Sequence, residues 1–408
     1  MVSIEDIQWL STPQARQFWE SIAALPVSQS LVVLNRAREL FPLPQASLIT
    51  AQFELLSIAK RKVSDPSKWF WTRLLLEQAS DEVTARETAA DFPKESHVHD
   101  ICCGAGSDAI ALSFQKLKVT AYDRCSIACE LTRQNAASHS SFIDVIDAAA
   151  EDIRFASTDY INIDPDRRAE GRRVTSLEWL SPAVETIQSL VDRSKGLSLK
   201  LSPGLRIDWN CPAKNSLVPE SIRYLSKDGA VKQQRWYWGI DRWPVNSIVV
   251  STHSKSSDYV WAHEIFDRST PSVDPCETLT DRCLEFIADY DPAIRAAERG
   301  ADFAIRHRWN LIDSTSGYLT ASQPRHHPMV RWFRLLHDIP MDRKQIKTLT
   351  KSLQPKAWEL KSRGVEVDLD QIRKSLATSS DSNDTLTILF TRVGNRHRAL
   401  VCCEAGPT

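Results

Sequence analysis

A glycine-rich turn, Gly104-Ala105-Gly106, is the feature of this 408-residue chain that most clearly indicates a ligand site. A β-prone segment, His97 to Cys102, precedes the turn, and a helix-compatible segment begins at Asp108. Glycine has no Cβ, so the backbone can bend sharply there and a ligand can lie against it. The free N–H groups at the start of the helix then point towards that ligand. This order of strand, turn and helix predicts a nucleotide-type cofactor site that includes Cys103.

Acidic residues follow three successive predicted strands around this turn. Asp100 lies four residues before Gly104, Asp123 closes the next strand, and Asp152 follows the third. The carboxyl ends of parallel strands meet at one edge of an open α/β sheet, so these acids should lie close together. Each acid alone is more simply a helix cap or turn residue, and only their joint spacing favours a cofactor site. The neighbouring residues Arg124 and Ile153 are included in the predicted site.

A second motif begins at Asp164-Pro165, directly after the apolar residues 161–163. Pro165 fixes the direction in which the chain leaves the strand, which would hold Asp164 beside a reacting group. The arginines that follow are dense enough to bind an anion such as phosphate: Arg167, Arg168, Arg172 and Arg173. A salt-bridged loop, in which these arginines pair with nearby acids, is an equally good interpretation. The catalytic candidates are Asp164, Pro165 and Arg167.

The elements that must position these residues alternate between strand and helix from residue 97 to about 251. Candidate strands are 97–102, 119–122, 142–146, 160–163 and 197–201, with helices at 126–137 and 183–194. This alternation predicts an α/β fold with a doubly wound, Rossmann-like, mostly parallel sheet. Segments 221–225, 231–238 and 247–252 then predict an antiparallel end, with an Asp228-Gly229 hairpin turn. Class I methyltransferase sheets end in this way, whereas most dehydrogenase Rossmann sheets do not.

The order of motifs resembles that of class I S-adenosylmethionine-dependent methyltransferases with a C-terminal THUMP-like domain. The resemblance spans roughly residues 40 to 404 and includes the stretches 71–73, 76–80, 100–108, 164–168, 171–173, 199–204, 291–296, 317–320 and 363–367. It implies S-adenosyl-L-methionine as the cofactor and in-line methyl transfer as the reaction. By analogy it also implies an RNA substrate.

The resemblance gives each predicted residue a role. Asp100 would approach the methionine ammonium group, Asp123 would hold the ribose, and Asp152 would face the adenine. Thr72 and Gln78 would close over the cofactor; without the resemblance they read as a helix cap and a surface residue. The remaining residues would act on the methyl acceptor. Asp164 would orient or deprotonate it. Four basic residues would bind the substrate: Arg168, Arg172, Arg173 and Lys200.

One departure from the resemblance concerns the acceptor. Many nucleic-acid amino-methyltransferases follow the acid with two prolines and an aromatic residue, which orient an exocyclic amine and stack on the base. This chain has one proline and then Asp166 and two arginines. The acceptor atom is therefore left open.

Four regions are predicted along the chain: an N-terminal helical region (1–90), a class I methyltransferase domain (91–263), a helical connector (264–327) and a THUMP-like α/β domain (328–408). Helices are expected at 22–40 and 47–60, separated by a proline-containing break at 41–44. In the last region we expect helices at 342–353 and 370–376 and a strand pair at 385–391 and 397–402.

Composition agrees with a globular protein and adds a hint about partners. The chain is 42% hydrophobic and 25% charged, with a net charge of −1. Residues 321–404 carry 15 Lys and Arg against 9 Asp and Glu, a net of +6, and the remainder has a net of −7. A basic C-terminal module is compatible with RNA binding, although a solvated basic face explains it equally well.

Several classes of protein are disfavoured. The nine cysteines lack C-x-x-C spacing, and the pairs Cys102-Cys103 and Cys402-Cys403 fit core packing in a cytoplasmic, reducing compartment. No secretory signal or membrane span is expected. The adjacent pair His326-His327 has no acid or cysteine at ligand spacing, so no metal site is predicted. The aromatic run 236–238 could stack on bases, but core packing is the safer interpretation.

The sequence thus predicts an S-adenosylmethionine-dependent methyltransferase that acts on RNA. An NAD-dependent oxidoreductase would fit the glycine turn alone. A non-catalytic RNA-binding protein would fit the altered motif at Asp164, and a small-molecule methyltransferase is the alternative within the same class. The oligomeric state is not predicted.

Overall fold

The computed structural model describes residues 2–166, 177–205, 217–253, 260–270 and 272–406, together with the backbone of 168–169 and 172–173. The chain divides into two compact units. The first comprises Met1–Ile222 and Gln233–Val245, and the second comprises Arg223–Lys232 and Asn246–Thr408. Among the helices of these residues, none is both long and apolar enough to cross a membrane.

Six helices form the N-terminal region of the first unit: α1 (Ile4–Leu10), α2 (Pro13–Ile22), α3 (Ser30–Leu40), α4 (Leu43–Ala59), α5 (Arg73–Gln78) and α6 (Glu82–Ala89). The apolar faces of α1 to α4 pack into a core that includes Ile7, Trp19 and Phe53. The predicted helix at 22–40 is wrong in its first part, because α2 ends at Ile22 and α3 begins only at Ser30. Pro26 lies in the gap, where its missing N–H and fixed φ interrupt a helix.

An alternation of strands and helices follows. The strands are β1 (His97–Ile101), β2 (Lys118–Asp123), β3 (Asp144–Asp147), β4 (Tyr160–Ile163), the short pair β5 (Arg168–Ala169) and β6 (Arg172–Arg173), β7 (Gly196–Leu201), β8 (Ser221–Lys227), β9 (Ala230–Trp238), β10 (Ser247–His253) and β11 (Trp261–Asp267). The helices are α7 (Ser107–Phe114), α8 (Ser126–Ser138) and α9 (Val184–Arg193).

The main sheet has nine strands in the order β3-β2-β1-β4-β7-β9-β8-β10-β11. Within this sheet, the neighbouring strands β3, β2, β1, β4 and β7 pair in parallel, whereas β9 runs antiparallel to β7. This confirms the predicted Rossmann-like sheet with an antiparallel end. Because β1, β2 and β4 are parallel, the chain leaves all three at the same edge of the sheet. Asp100 near the end of β1, Asp123 at the end of β2 and Asp164 directly after β4 are therefore at this edge, together with the glycine turn that follows β1.

A second sheet lies in the second unit. Its strands are β12 (Phe286–Tyr290), β13 (Asn310–Leu311), β14 (Tyr318–Ala321), β15 (Val330–Pro340), β16 (Ala357–Ser362), β17 (Thr385–Val393) and β18 (Arg396–Glu404). They pair in the order β13-β14-β12-β15-β18-β17-β16. The helices of this unit are α10 (Pro292–Ala296), α11 (Gly300–His307), α12 (Arg343–Leu353) and α13 (Leu369–Arg373).

The predicted helical connector, 264–327, differs from the structure in its content. It includes α10 and α11, but it also supplies β12, β13 and β14 to the second sheet. These strands have two to five residues, which is too short for an alternating pattern to stand out beside strong helix signals. The stretch is therefore part of a folded sheet layer.

Candidate functional site

The turn after β1 has the backbone geometry that glycine permits. Gly104 has φ +60° and Gly106 has φ +88°, both in the left-handed region that other residues rarely adopt. A Cβ built on Gly104 would come near only Leu75 Cδ2, at 3.8 Å, so a side chain there would occupy open space. A Cβ on Gly106 would instead lie 3.0 Å from Thr132 Cγ2 on α8. Gly104 therefore keeps a cavity open, and Gly106 allows the turn before α7 to pack closely against α8.

The open space is a cavity of about 280 Å³ at the carboxyl edge of the parallel strands. The structure brings ten of the predicted residues to its wall: Gln78, Asp100, Cys103, Gly104, Ala105, Asp108, Asp123, Arg124, Asp164 and Pro165. Other lining residues include Leu74, Leu75, Ser80 and Asp166. One cavity therefore joins the glycine turn, the first two predicted acids and the Asp164-Pro165 motif.

Four of the residues predicted to bind the cofactor do not line this cavity: Thr72, Gly106, Asp152 and Ile153. The Thr72 hydroxyl caps α5 by accepting from Leu75 N–H at 3.2 Å, which is the local role expected of a threonine before a helix. Asp152 is exposed and ends a short 3-10 helix, and Ile153 is buried at 3% exposure. Their assigned contacts with the cofactor stay predictions.

Asp100 is the most unusual acid in the cavity wall. It is only 2% exposed, and its Oδ1 accepts from Asn162 Nδ2 at 2.7 Å. Within the described residues Oδ2 has no hydrogen-bond partner. Burial, followed by the nearby carboxylate of Asp108, raises the pKa of Asp100 to about 8. A buried carboxylate oxygen without a hydrogen-bond partner favours the binding of a cation from the cavity.

Asp123 is held in place by the backbone of the turn. Its Oδ2 accepts from Gly104 N–H at 3.0 Å, and its Oδ1 accepts from Cys125 N–H at 2.9 Å. Burial raises its pKa, and these two backbone hydrogen bonds oppose that rise. Each carboxylate oxygen can accept more than one hydrogen bond, so the fixed group can still receive hydroxyl donors from the cavity.

Asp164, directly after β4, forms an ion pair with Lys200, which does not line the cavity. Lys200 Nζ on β7 donates to Asp164 Oδ2 at 2.6 Å and to Ser80 Oγ at 2.8 Å. Ser80 Oγ in turn donates to Asp108 Oδ2 at 2.9 Å. Lys200, predicted as a substrate contact, thus lies behind the wall and links two acids that line the cavity.

Two residues that support the acids of the cavity wall are not predicted from the sequence, Asn162 on β4 and Arg235 on β9. Arg235 is fully buried; its Nη1 donates to Asn162 Oδ1 at 2.5 Å and to Ser198 Oγ at 3.0 Å. Its Nη2 lies 3.9 Å from Asp108 Oδ1. A guanidinium therefore supports the cavity's acids from inside the sheet. The signal that could find Asn162 is a polar residue in the middle of the wholly buried strand 160–163.

Two further predictions concern the segments beside the site. In the aromatic run, Trp236 and Tyr237 are buried and Trp238 is partly exposed, so core packing is confirmed for the first two residues. Arg167 lies outside the described residues. Arg168 and Arg173 are paired in the short β5–β6 ladder, as are Ala169 and Arg172, and this pairing concerns the backbone alone. Phosphate binding by the four arginines stays a prediction.

Comparisons with known proteins agree with this fold. Residues 330–404 match the family model described as "THUMP domain-like". A crystal structure from Porphyromonas gingivalis W83, assigned as a methyltransferase, superposes with a TM-score of 0.74 at 19% identity, covering 99% of this chain and 98% of that chain. Uncharacterized S-adenosylmethionine-dependent methyltransferases of two Mycobacterium tuberculosis strains are each 24% identical over 334 residues, covering 80% of this chain and 86% of theirs.

The NAD-dependent alternative finds no support in these relatives, which are named as methyltransferases. The sheet order, with its antiparallel end, points in the same direction. The fold and the relatives together indicate an S-adenosylmethionine-dependent methyltransferase with a Rossmann-like sheet, and residues 330–404 are similar to the THUMP-like domain.

Proposed function

We propose that this methyltransferase modifies RNA, with Asp164 orienting the acceptor in the cavity beside the cofactor. The observation that carries the proposal is the joining of Asp164 and the two acids Asp100 and Asp123 in one cavity. The RNA assignment is supported by the THUMP-like match at 330–404 and by the positive charge of the same region.

The cavity fits S-adenosylmethionine on two observations. The buried, unpartnered Oδ2 of Asp100 suits the cofactor's ammonium group, because a cation would compensate the carboxylate when it is ionised. The space in front of Gly104, which a Cβ would fill, lets the ligand lie against the backbone. In this proposal Asp123 accepts hydrogen bonds from the ribose hydroxyls. The cofactor, when bound, supplies a methyl group on an electrophilic sulfonium.

The acceptor end of the proposal rests on Asp164 and its support. Pro165 restricts the backbone after the strand, and Lys200 holds one oxygen of the Asp164 carboxylate at 2.6 Å. A carboxylate fixed in this way can accept a hydrogen bond from an N–H or O–H of the acceptor and align its lone pair with the methyl group. Alignment of the two reacting groups is the main contribution that the protein can make to in-line transfer.

The test is incubation of the full chain with tritium-labelled S-adenosylmethionine and, in parallel, total RNA, protein and metabolite fractions. We expect label in the RNA fraction. Asp164→Asn should reduce incorporation by about 100-fold or more, as expected for loss of an orienting or proton-accepting group. It should leave binding of S-adenosylhomocysteine within about threefold, because the proposed cofactor contacts remain. Asp192→Asn, an exposed position on α9, is the matched control.

The other outcomes separate the alternatives. Label found only in the metabolite fraction would identify a small-molecule methyltransferase and refute the RNA proposal. Binding of RNA without label in any fraction would indicate a non-catalytic RNA-binding protein. If Asp164→Asn transferred methyl groups at the wild-type rate, the role proposed for Asp164 would be wrong even with RNA as the substrate.

A further inference from the structure

A second group of titratable side chains lies along the first half of β1, whereas the cavity lies at the carboxyl end of this strand. His97 and His99 are two residues apart on this strand, so their side chains share one face of the sheet. Asp159 immediately precedes β4, which pairs with β1 through Val98 and Tyr160. The strand pairing therefore brings two imidazoles and one carboxylate together at the amino edge of the sheet.

The distances in this group match those between ligands of one metal ion. His99 Nε2 lies 3.0 Å and His97 Nδ1 lies 3.4 Å from Asp159 Oδ2. Bonds of 2.0–2.1 Å to zinc in a tetrahedral arrangement separate neighbouring ligand atoms by about 3.3 Å. One ligand atom from each of the three residues lies within 4.8 Å of the others. Only small shifts are needed to place an ion among them.

The partners on the outer side of the rings suit this arrangement. His97 Nε2 lies 2.8 Å from Thr120 Oγ1, and His99 Nδ1 lies 3.1 Å from the Tyr122 hydroxyl. If each of these nitrogens donates to its hydroxyl, the remaining nitrogen of each ring presents a lone pair towards Asp159. Metal-ligating histidines are commonly oriented by such outer hydrogen bonds.

We propose that His97, His99 and Asp159 bind a divalent transition metal ion, with zinc as the best match. Two imidazoles and one carboxylate are a common zinc ligand set, and the fourth position is left for water. The proposal departs from the sequence-based expectation of no metal site, which considers only His326-His327. It is independent of the proposed RNA substrate.

The position of the proposed metal site indicates that the ion stabilises the sheet. The strand from His97 to Ile101 is about 13 Å long at 3.3 Å per residue, and the methyl-transfer cavity begins near its far end. The ion would connect the start of β1 to the segment before β4. It would therefore stabilise the sheet that carries Asp100, without contact with the cofactor.

A second group of the same composition provides an internal comparison. Glu264, His307 and His327 also lie close together, with both imidazole Nε2 atoms 3.2 Å from Glu264 Oε1. Here, however, Met329 N–H donates to His327 Nδ1 at 3.2 Å, so the proton of that ring is on Nε2 and faces Glu264. The guanidinium of Arg306 also contacts Glu264. This group is already satisfied as hydrogen bonds and an ion pair, and we assign no metal to it.

The experiment is titration of the untagged, chelator-treated full chain with Zn²⁺ alone, followed by calorimetry and by metal analysis after dialysis. We expect one tightly bound zinc per chain and a higher Tm when it is present. His99→Gln and, separately, the more exposed His97→Gln should abolish this binding. Tyr122→Phe should weaken it by about 10- to 100-fold, because it removes an outer hydrogen-bond partner. His327→Gln is the matched control and should bind zinc like the wild type.

Circular dichroism of each variant separates loss of the site from loss of the fold. His97→Gln retains the buried His99 contact, so it is the variant to read if His99→Gln unfolds. The proposal is overturned if wild type and folded His97→Gln hold equal amounts of zinc, or if the zinc is lost in His327→Gln instead. Absence of stoichiometric zinc from the wild-type chain at neutral pH would also overturn it.

Discussion

The substitution Asp100→Asn tests whether the buried carboxyl group of Asp100 binds a cationic ligand in the cavity. Asn at position 100 keeps an oxygen that can accept from Asn162 and removes the repulsion with Asp108. Raising a carboxyl pKa from 3.8 to about 8 costs the ionised form about 6 kcal/mol. This is the largest effect that Asp100→Asn can have on the stability of the ligand-free protein.

The direction of the pH dependence follows from where the proton is held. Folded Asp100 keeps its proton up to about pH 8, whereas the unfolded chain releases it near its ordinary pKa. Wild-type stability from this group is therefore complete below about pH 4 and is lost as the pH rises towards 8. Urea unfolding of ligand-free wild type and Asp100→Asn should show the variant gaining relative stability across this window.

The affinity for ligand should depend on pH in the wild type and hardly at all in Asp100→Asn. A bound ammonium group favours the ionised carboxylate, so wild-type affinity for S-adenosylhomocysteine should rise with pH, by up to about tenfold per unit below 8. The affinity of Asp100→Asn should be nearly independent of pH from 6.5 to 8. At pH 8 it should be weaker by about 2 kcal/mol, or roughly 30-fold. Equal affinities with equal pH profiles would refute the reasoning.

Two further substitutions test the support of the site, each with a matched control measured by urea unfolding. Gly106→Ala should cost about 1–3 kcal/mol, because it combines a positive φ with a Cβ 3.0 Å from Thr132. Gly229→Ala, which has positive φ but no atom within 4 Å, should cost only about 1 kcal/mol; an equal loss would exclude the proposed contact. Arg235→Met should cost about 3–5 kcal/mol, because it leaves buried acids without their guanidinium. The exposed Arg334→Met should cost less than about 1 kcal/mol, and a similar cost for both would show that burial is not decisive.

The parts of the fold that sequence predicts well have strong local patterns. The alternating strands and helices and the Asp-Gly hairpin between β8 and β9 are where the pattern indicates. The connector at 264–327 is less well predicted, because its strands are too short to show period-two alternation. The pairing of β12 with β15 depends on contacts distant in sequence, which no local window contains.

The candidate site also has a part that the sequence predicts and a part that it does not. Asp100, Asp123 and Asp164 share a cavity because parallel strands end at one edge, which topology alone predicts. Thr72 has the local role that its position before a helix predicts, since its hydroxyl caps α5, and its contact with the cofactor stays a prediction. The contribution of Arg235 could not be predicted, because its partners lie 37 and 73 residues away in the chain.

The buried guanidinium of Arg235 has a consequence for dissecting this enzyme into smaller pieces. The strand that carries it follows every predicted cofactor residue in the chain, so a fragment ending after β7 would retain all of them. It would nevertheless lack the positive charge between Asn162 and Asp108. Such a minimal catalytic fragment should have an electrostatically unbalanced interior, and autonomous folding of this half would require residues up to at least Trp238.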